Sequence, residues 1–328
     1  MVDSELDSIM SSTLRDPNTP RATASSLPRW LTAGLVAGTF LTLAILERRR
    51  PLRRSVEPAL QRTGRNLAIA ALGAMAVQLA EAPIVALAAA AVERRRWGIL
   101  KRLQLPVWLE VCAAVLLMDY TLYVWHVLTH RVPWLWRFHA VHHIDLDLDA
   151  STAVRFHFGE LTLSAPWRLA QVVAIGTSPL ALSIWQTGLL LSILFHHSNL
   201  ELPLAIERRL GRVFVTPRMH GIHHSQVRRE TDSNWSSGLT IWDWLHGTLE
   251  LNVPQSRITI GVPAGIVVLP ARLGTNHSIA SPSPQCSSMI VVSSLNFCSA
   301  APATSGGKRS KFPVGKVPYN ASAATRSG

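Results

Sequence analysis

Four stretches of this chain are apolar on every side, and that constrains its fold more tightly than any motif. Trp30 to Leu46 carries no charged residue, close to the run of about 20 apolar residues that a helix needs to cross a bilayer. Residues 66–92 form a second run, interrupted by Glu81 and Pro83, and residues 105–125 a third, carrying Glu110 and Asp119. The fourth, Leu161 to Phe195, is apolar apart from Arg168 and is divided by Gly176, Ser178 and Pro179, so it reads as a helical hairpin. A soluble helix presents an apolar stripe to its core and a polar face to water; these runs have no polar face. With 48% hydrophobic and 16% charged residues and a positive mean hydropathy, the expected fold class is all-α. It is a polytopic integral membrane helical bundle of about four transmembrane helices or helical hairpins, with a histidine-rich metal-binding cap on the cytoplasmic side.

The net charge of +12 does not point to nucleic acid, because of where it sits. No acidic residue follows Glu250, and seven basic residues do (Arg257, Arg272, Lys308, Arg309, Lys311, Lys316 and Arg326). Much of the remainder lies in arginine clusters beside the apolar runs, as at Arg48-Arg49-Arg50 and Arg94-Arg95-Arg96, which are topology signals and headgroup contacts. Cys112, Cys286 and Cys298 show no short paired spacing, so neither a disulfide framework nor a thiolate metal site is expected. Three regions follow. Residues 1–28 read as a mobile polar arm, with Trp30 to Leu46 as a retained anchor rather than a cleaved signal. Residues 29–264 read as the membrane-embedded, metal-binding body. Residues 265–328, rich in Ser, Ala, Pro and Gly, read as an atypical, disordered tail.

Residues 47–65 hold seven arginines against two glutamates, which places them in the cytoplasm by the positive-inside rule. If residues 66–92 cross once and 105–125 cross back, the histidines that follow are cytoplasmic too, at the cost of leaving the basic 93–102 loop outside. A re-entrant hairpin at Glu81-Ala82-Pro83 would cure that loop and send the histidines outside. The first arrangement is favoured, because the 161–195 hairpin returns the chain to the side holding the histidines under either model, and reducing chemistry needs a cytoplasmic electron source.

Eleven of the thirteen histidines fall between His126 and His224. Most stand in three boxes: His126-x3-His130, His139-x2-His142-His143 and His220-x2-His223-His224. Residues three and four apart share a helical face, so each box can aim several imidazoles at one point. A single box could be satisfied core or surface; packing gives no reason to prefer imidazole in triplets, and the repetition argues for more than one metal ion. Imidazole alone does not choose among iron, copper, nickel and zinc. Asp119 precedes His126 by two turns on the same face, deeper in the membrane by about 10 Å. An ionisable group at that depth is a functional candidate, either accepting the N–H of a ligating imidazole or closing a polar network beneath the metal.

With His157 in Arg155-Phe156-His157-Phe158-Gly159-Glu160 and His197 in His197-Ser198-Asn199, the arrangement resembles the fatty acid hydroxylase / sterol desaturase superfamily of membrane di-iron oxygenases. The match continues through Asp119-Tyr120, Trp136 to His143, Thr216 to Ser225, Asp232-Ser233-Asn234 and Ile241 to Thr248. It covers about residues 30–260, and departs from the family at Phe158, where proline is frequent, and at His246, where an aromatic residue is frequent. The resemblance implies ten metal ligands: His126, His130, His139, His142, His143, His157, His197, His220, His223 and His224. It implies supporting catalytic roles for Asp119, Glu160, Asp232 and Asn234, and does not extend to His196 or His246. It also implies two iron ions, O2 as co-substrate, and a membrane lipid (fatty acyl, sterol or related isoprenoid) hydroxylated or desaturated at a C–H bond. No flavin, nicotinamide or cytochrome segment is recognisable, so the expected partner is an external electron donor of ferredoxin or cytochrome type with its reductase. A zinc-dependent membrane hydrolase of lipid amides or esters is the rival enzyme; it needs about three protein ligands and would leave most of the histidines without a purpose. A metal transporter would spread its ionisable residues through the depth of several helices, whereas these ligands cluster at one face.

Overall fold

The computed structural model describes residues 26–262, so most of the amino-terminal arm and the whole carboxy-terminal tail lie outside the described residues. Twelve α-helices carry the described chain. The long ones are α1 (Arg29–Arg49), α2 (Ala59–Ala76), α3 (Ala82–Arg95), α5 (Val107–Arg131), α7 (Phe158–Ile175) and α8 (Pro179–His197); α4 (Ile99–Arg102) is a single turn. The short helices of the cap are α6 (Pro133–His143), α9 (Leu204–Leu210), α10 (Pro217–His223), α11 (Arg228–Thr231) and α12 (Ile241–His246). Extended pairing among the described residues is confined to isolated bridges, such as Phe214 with Leu239.

Among the described residues, four segments are long and apolar enough to cross a membrane: Arg29–Arg49, Ala59–Arg102, Val107–Arg131 and Pro179–His197. Their outward faces show what solvates them. Trp30, Leu41, Leu72, Leu79, Leu87 and Trp108 are all exposed, an apolar surface far larger than a water-soluble monomer tolerates. Inward, Val85, Ala89, Val92, Met118, Val172 and Trp185 form the buried core where α3, α5, α7 and α8 meet.

Between α2 and α3 the chain neither stops nor reverses. Val77–Glu81 form a π-helical turn that runs straight into α3. Pro83 cannot donate to the preceding turn, and a π turn is one of the ways a helix absorbs such a mismatch. The re-entrant hairpin considered at Glu81-Ala82-Pro83 is therefore not formed. The segment spans 44 residues with α4, more than a bilayer needs, and the excess projects into the cap. There Asn66 Nδ2 donates to Asp145 at 2.8 Å, and Arg62 is held by Asp145, Asp147 and Asp149. Glu47 accepts from the backbone N–H of Ala150 and Asn199 at 3.1 and 3.0 Å. Residues 47–65 thus lie at the same end of the bundle as the histidines that follow.

The chain does turn between Ile175 and Pro179, through a left-handed Gly176 and a Ser178 cap that accepts from Ala181 N. The two helices splay rather than pair: α7 packs on α2 and α3, and α8 on α1 and α5. At that far end Gly98 (φ 93°) presses against Gly176 (φ 87°), and a Cβ on Gly98 would overlap the Gly176 backbone. Gly98→Ala is expected to cost roughly 1–3 kcal/mol from the backbone conformation alone. Thermal unfolding of the detergent-solubilised chain should show a clear fall in midpoint, and an unchanged midpoint would contradict the close approach.

Candidate metal centre

Four helices bring imidazoles to one end of the bundle. His126 and His130 lie one turn apart at the end of α5, and after a turn at Val132 α6 begins at Pro133, three residues beyond His130. That fold-back sets His139, His142 and His143 against α5. His196 and His197 end α8, while α10 and the residue after it supply His220, His223 and His224. Gly221 between them leaves room for the guanidinium of Arg53, which a Cβ there would meet and which donates to Pro217 O at 2.9 Å.

Eight of the ten expected ligands fall into two buried quartets. His126, His130, His143 and His223 form one; His142, His197, His220 and His224 form the other, each set with ligand nitrogens within 4.8 Å of one another. Adjacent residues diverge, His142 from His143 and His223 from His224, because successive helical side chains point about 100° apart. The quartets therefore share a wall, where His143 stacks on His224 with ring centroids 4.1 Å apart.

Proton positions follow from the acceptors. His126 Nδ1 lies 2.6 Å from Trp235 O and His223 Nδ1 2.9 Å from Ser233 O. A carbonyl can only accept, so both Nδ1 atoms carry the proton and both Nε2 atoms present lone pairs. Those two Nε2 atoms are 3.1 Å apart. The second quartet repeats the pattern: His142 Nδ1 donates to Arg155 O at 3.2 Å and His197 Nδ1 to Ile193 O at 2.9 Å, while their Nε2 atoms stand 2.9 Å apart. Lone pair facing lone pair at such distances is repulsive and is not a hydrogen bond; a cation between them turns it into attraction. Nδ1–H donation to a carbonyl is also how ligating histidines are oriented. Burial holds His223 down at about 3 and His142, His143, His220 and His224 well below the usual imidazole range. These imidazoles stay neutral and able to ligate at neutral pH.

The other two expected ligands differ. His139 donates from Nδ1 to Glu160 Oε1 at 2.9 Å, and its buried Nε2 has no partner. Its ring lies 4.8 Å from that of His130 and 5.2 Å from that of His126, beside the first quartet. His157 joins neither set. It caps α7, with Nδ1 accepting from Gly159 N at 2.9 Å, because its extended backbone at the cap turns the ring toward the helix's free N–H groups. The reading from sequence passed over His196, which is buried and whose ring is 4.1 Å from that of His220. Its only sequence signal is that it doubles His197, as His142 doubles His143.

Of the four carboxylate and amide residues singled out, only Glu160 touches an imidazole. Asp119 accepts from Trp242 Nε1 at 2.7 Å and Leu239 N at 3.0 Å, which ties α5 to the loop whose Ser233 and Trp235 carbonyls orient His223 and His126. Asn234, left-handed at φ 51°, donates to Met219 O and Glu250 O and accepts from Glu250 N; it clamps α10 in place. Asp232 pairs with Arg131 and Arg228 at 3.5 and 3.4 Å, part-exposed. Asp243, not singled out, does more than Asp232: fully buried, it accepts from Trp235 N, Ser236 N and Thr248 Oγ1, and burial raises its carboxyl above the usual range. Replacing Glu160 with alanine is expected to weaken metal binding by about 10–100-fold, read by competition with a calibrated chelator; unchanged affinity would separate His139 from the centre.

An apolar cavity of 720 Å³ runs from this cluster into the bundle, within the usual range for a bound lipid or drug-sized ligand. His126, His139, His142, His196, His197 and His220 close one end, and residues such as Val36, Phe40, Ala70, Leu122 and Leu189 form the walls.

Residues 111–248 match the fatty acid hydroxylase family model. The chain is 32% identical to ornithine lipid hydroxylase OlsE of Rhizobium tropici, over 48% of this chain and 47% of that protein. It is 33% identical to a cholesterol 25-hydroxylase-like protein of Danio rerio, over 44% of this chain and 56% of that one. It is 31% identical to the alkylglycerol monooxygenase of Homo sapiens, over 42% and 30%. The chain thus spans about half the length, or less, of these curated relatives. No solved structure matches it.

Proposed function

We propose, on the premise that the chain belongs to the fatty acid hydroxylase family through residues 111–248, that it is an O2-dependent oxidoreductase that hydroxylates a C–H bond of a membrane lipid. The observation that carries the reading is the pair of histidine quartets with opposed Nε2 lone pairs, closing the end of an apolar cavity. The related proteins are named as hydroxylases and a monooxygenase of lipids. A zinc hydrolase with about three protein ligands and a water leaves most of this cluster unused and has no counterpart among those relatives.

Two iron ions are the proposed occupants, one per quartet, with His139 beside the first and His196 beside the second. Bound iron would supply O2 activation and removal of hydrogen from an unactivated C–H bond. The protein's share is geometric. Backbone carbonyls of Arg155, Ile193, Ser233 and Trp235 fix four imidazoles in the tautomer that ligates. Glu160 fixes His139. The apolar walls exclude water from the reacting carbon and accept a chain sliding in from the bilayer. His157, Asp232 and Asn234 are assigned roles in holding α7, α11 and α10 rather than in touching substrate.

The body, residues 29–264, acts as one membrane domain in this reading, and its multi-pass insertion puts the histidines on the cytoplasmic side. Support comes from residues 47–65, whose arginine excess faces the cytoplasm by the positive-inside rule and which lie at the histidine end. Electrons come from a separate ferredoxin- or cytochrome-type donor and its reductase. Lipid extracts from cells expressing the chain under oxygen-18 gas should contain a new lipid alcohol carrying the heavy isotope. A product whose oxygen comes from water would overturn the oxygenase reading in favour of hydrolysis or hydration.

A further inference from the structure

The cavity has one polar station on its wall, away from the histidines, and nothing in the proposed reaction uses it. Ser164 and Arg168 follow Glu160 along α7 by one and two turns, about 6 and 12 Å, and both line the cavity. Both are buried. Arg168 NH1 donates to Gln171 Oε1 at 2.8 Å, and the guanidinium lies 4.4 Å from the Trp185 ring centroid. Its Nε stands 3.5 Å from Glu81 Oε1. Ser164 Oγ donates to Glu81 Oε2 or Leu161 O, at 3.0 and 2.8 Å, which leaves its lone pairs free to accept. Glu81 itself ends the π-helical turn between α2 and α3, a rare geometry that gathers at functional sites. An ion pair among apolar helices that served only to join α2 and α7 would have no need to border a cavity, and ionisable groups at such depth mark substrate paths.

We propose that Ser164 and Arg168, with Glu81 behind them, bind the hydroxyl end of an uncharged lipid and thereby select which carbon reaches the histidines. The inference rests on the lipid hydroxylase reading and deepens it. A lipid oxidised on its apolar tail must lay that tail against the cap, which drives its polar end toward the interior of the bundle, where an unpaired hydroxyl is costly. The station removes that cost: Arg168 donates to the hydroxyl oxygen and Ser164 accepts its proton. Charge decides against an anionic end. Glu81 already neutralises Arg168, so a carboxylate or phosphate would face Glu81 without a free cation.

The test is binding of radiolabelled 1-hexadecanol, palmitic acid and hexadecane to the full chain in lipid nanodiscs, with metal retained and with metal stripped. Hexadecanol is expected to bind at least about tenfold more tightly than either of the others. Ser164→Ala, and separately the charge-balanced pair Glu81→Gln with Arg168→Met, should remove that preference while leaving hexadecane binding and metal content unchanged. Equal binding of the three probes, preference for palmitic acid, or a preference that survives both variants would each overturn the proposal. The preference is read on the stripped protein as well, so a chain that proved not to be an oxygenase would still show whether the station selects hydroxyls.

Discussion

His223→Ala is expected to abolish lipid oxidation and to empty the first quartet of metal, with a loss beyond the roughly 100-fold that outer-shell changes produce. His223 is fully buried, donates from Nδ1 to Ser233 O, and sets its Nε2 3.1 Å from that of His126. His142→Ala should act likewise on the second quartet, where its Nε2 stands 2.9 Å from that of His197. Elemental analysis of each purified variant, beside its product yield from lipid extracts, checks the expectation. A variant that kept its full metal content would remove that histidine from the ligand set. A variant that lost metal from both quartets would show that the shared wall of His143 and His224 couples them.

The second large effect falls on stability. Arg62 is buried and faces Asp145, Asp147 and Asp149 together, while Arg155 approaches Asp145 only to 4.0 Å. Removing one side of a buried ion pair costs about 3–5 kcal/mol because the other side is left uncompensated. Arg62→Met keeps the side-chain volume and deletes the charge, so it isolates that term. The three aspartates lie in the segment between α6 and α7 that anchors His142 and His143, so unfolding there should carry metal loss with it. Thermal or denaturant unfolding with and without metal measures both. A midpoint close to that of the unmodified chain would mean that Arg65 and Arg155 alone balance the aspartates.

The histidine boxes were legible because spacing of three and four survives folding on any helix. Their assignment to two quartets was not, since neighbours such as His223 and His224 diverge in space by the helical turn, and no spacing rule says which partner each will meet. His157 looked like the other histidines in its motif, yet its place at the start of α7 commits its Nδ1 to the helix cap. His196 was passed over although it borders the cavity with His197. The apolar runs foretold four membrane-length segments, and the single crossing favoured for residues 66–92 is the one formed, but Pro83 left a reversal open as the alternative because it cannot donate within a helix. A π turn accommodates it without a reversal, and period alone cannot reveal that turn. The partners of Asp145, Asp147 and Asp149 lie some eighty residues earlier in the chain, so the alternating aspartates carried no readable purpose. The cavity, lined from seven helices, has no signature in any one of them.

The central claim is that the two quartets hold iron. Elemental mass spectrometry of the detergent-purified chain tests it most directly: about two irons per chain are predicted from two four-nitrogen sites of neutral imidazole. Zinc near one per chain, or well-folded protein without bound metal, would contradict it.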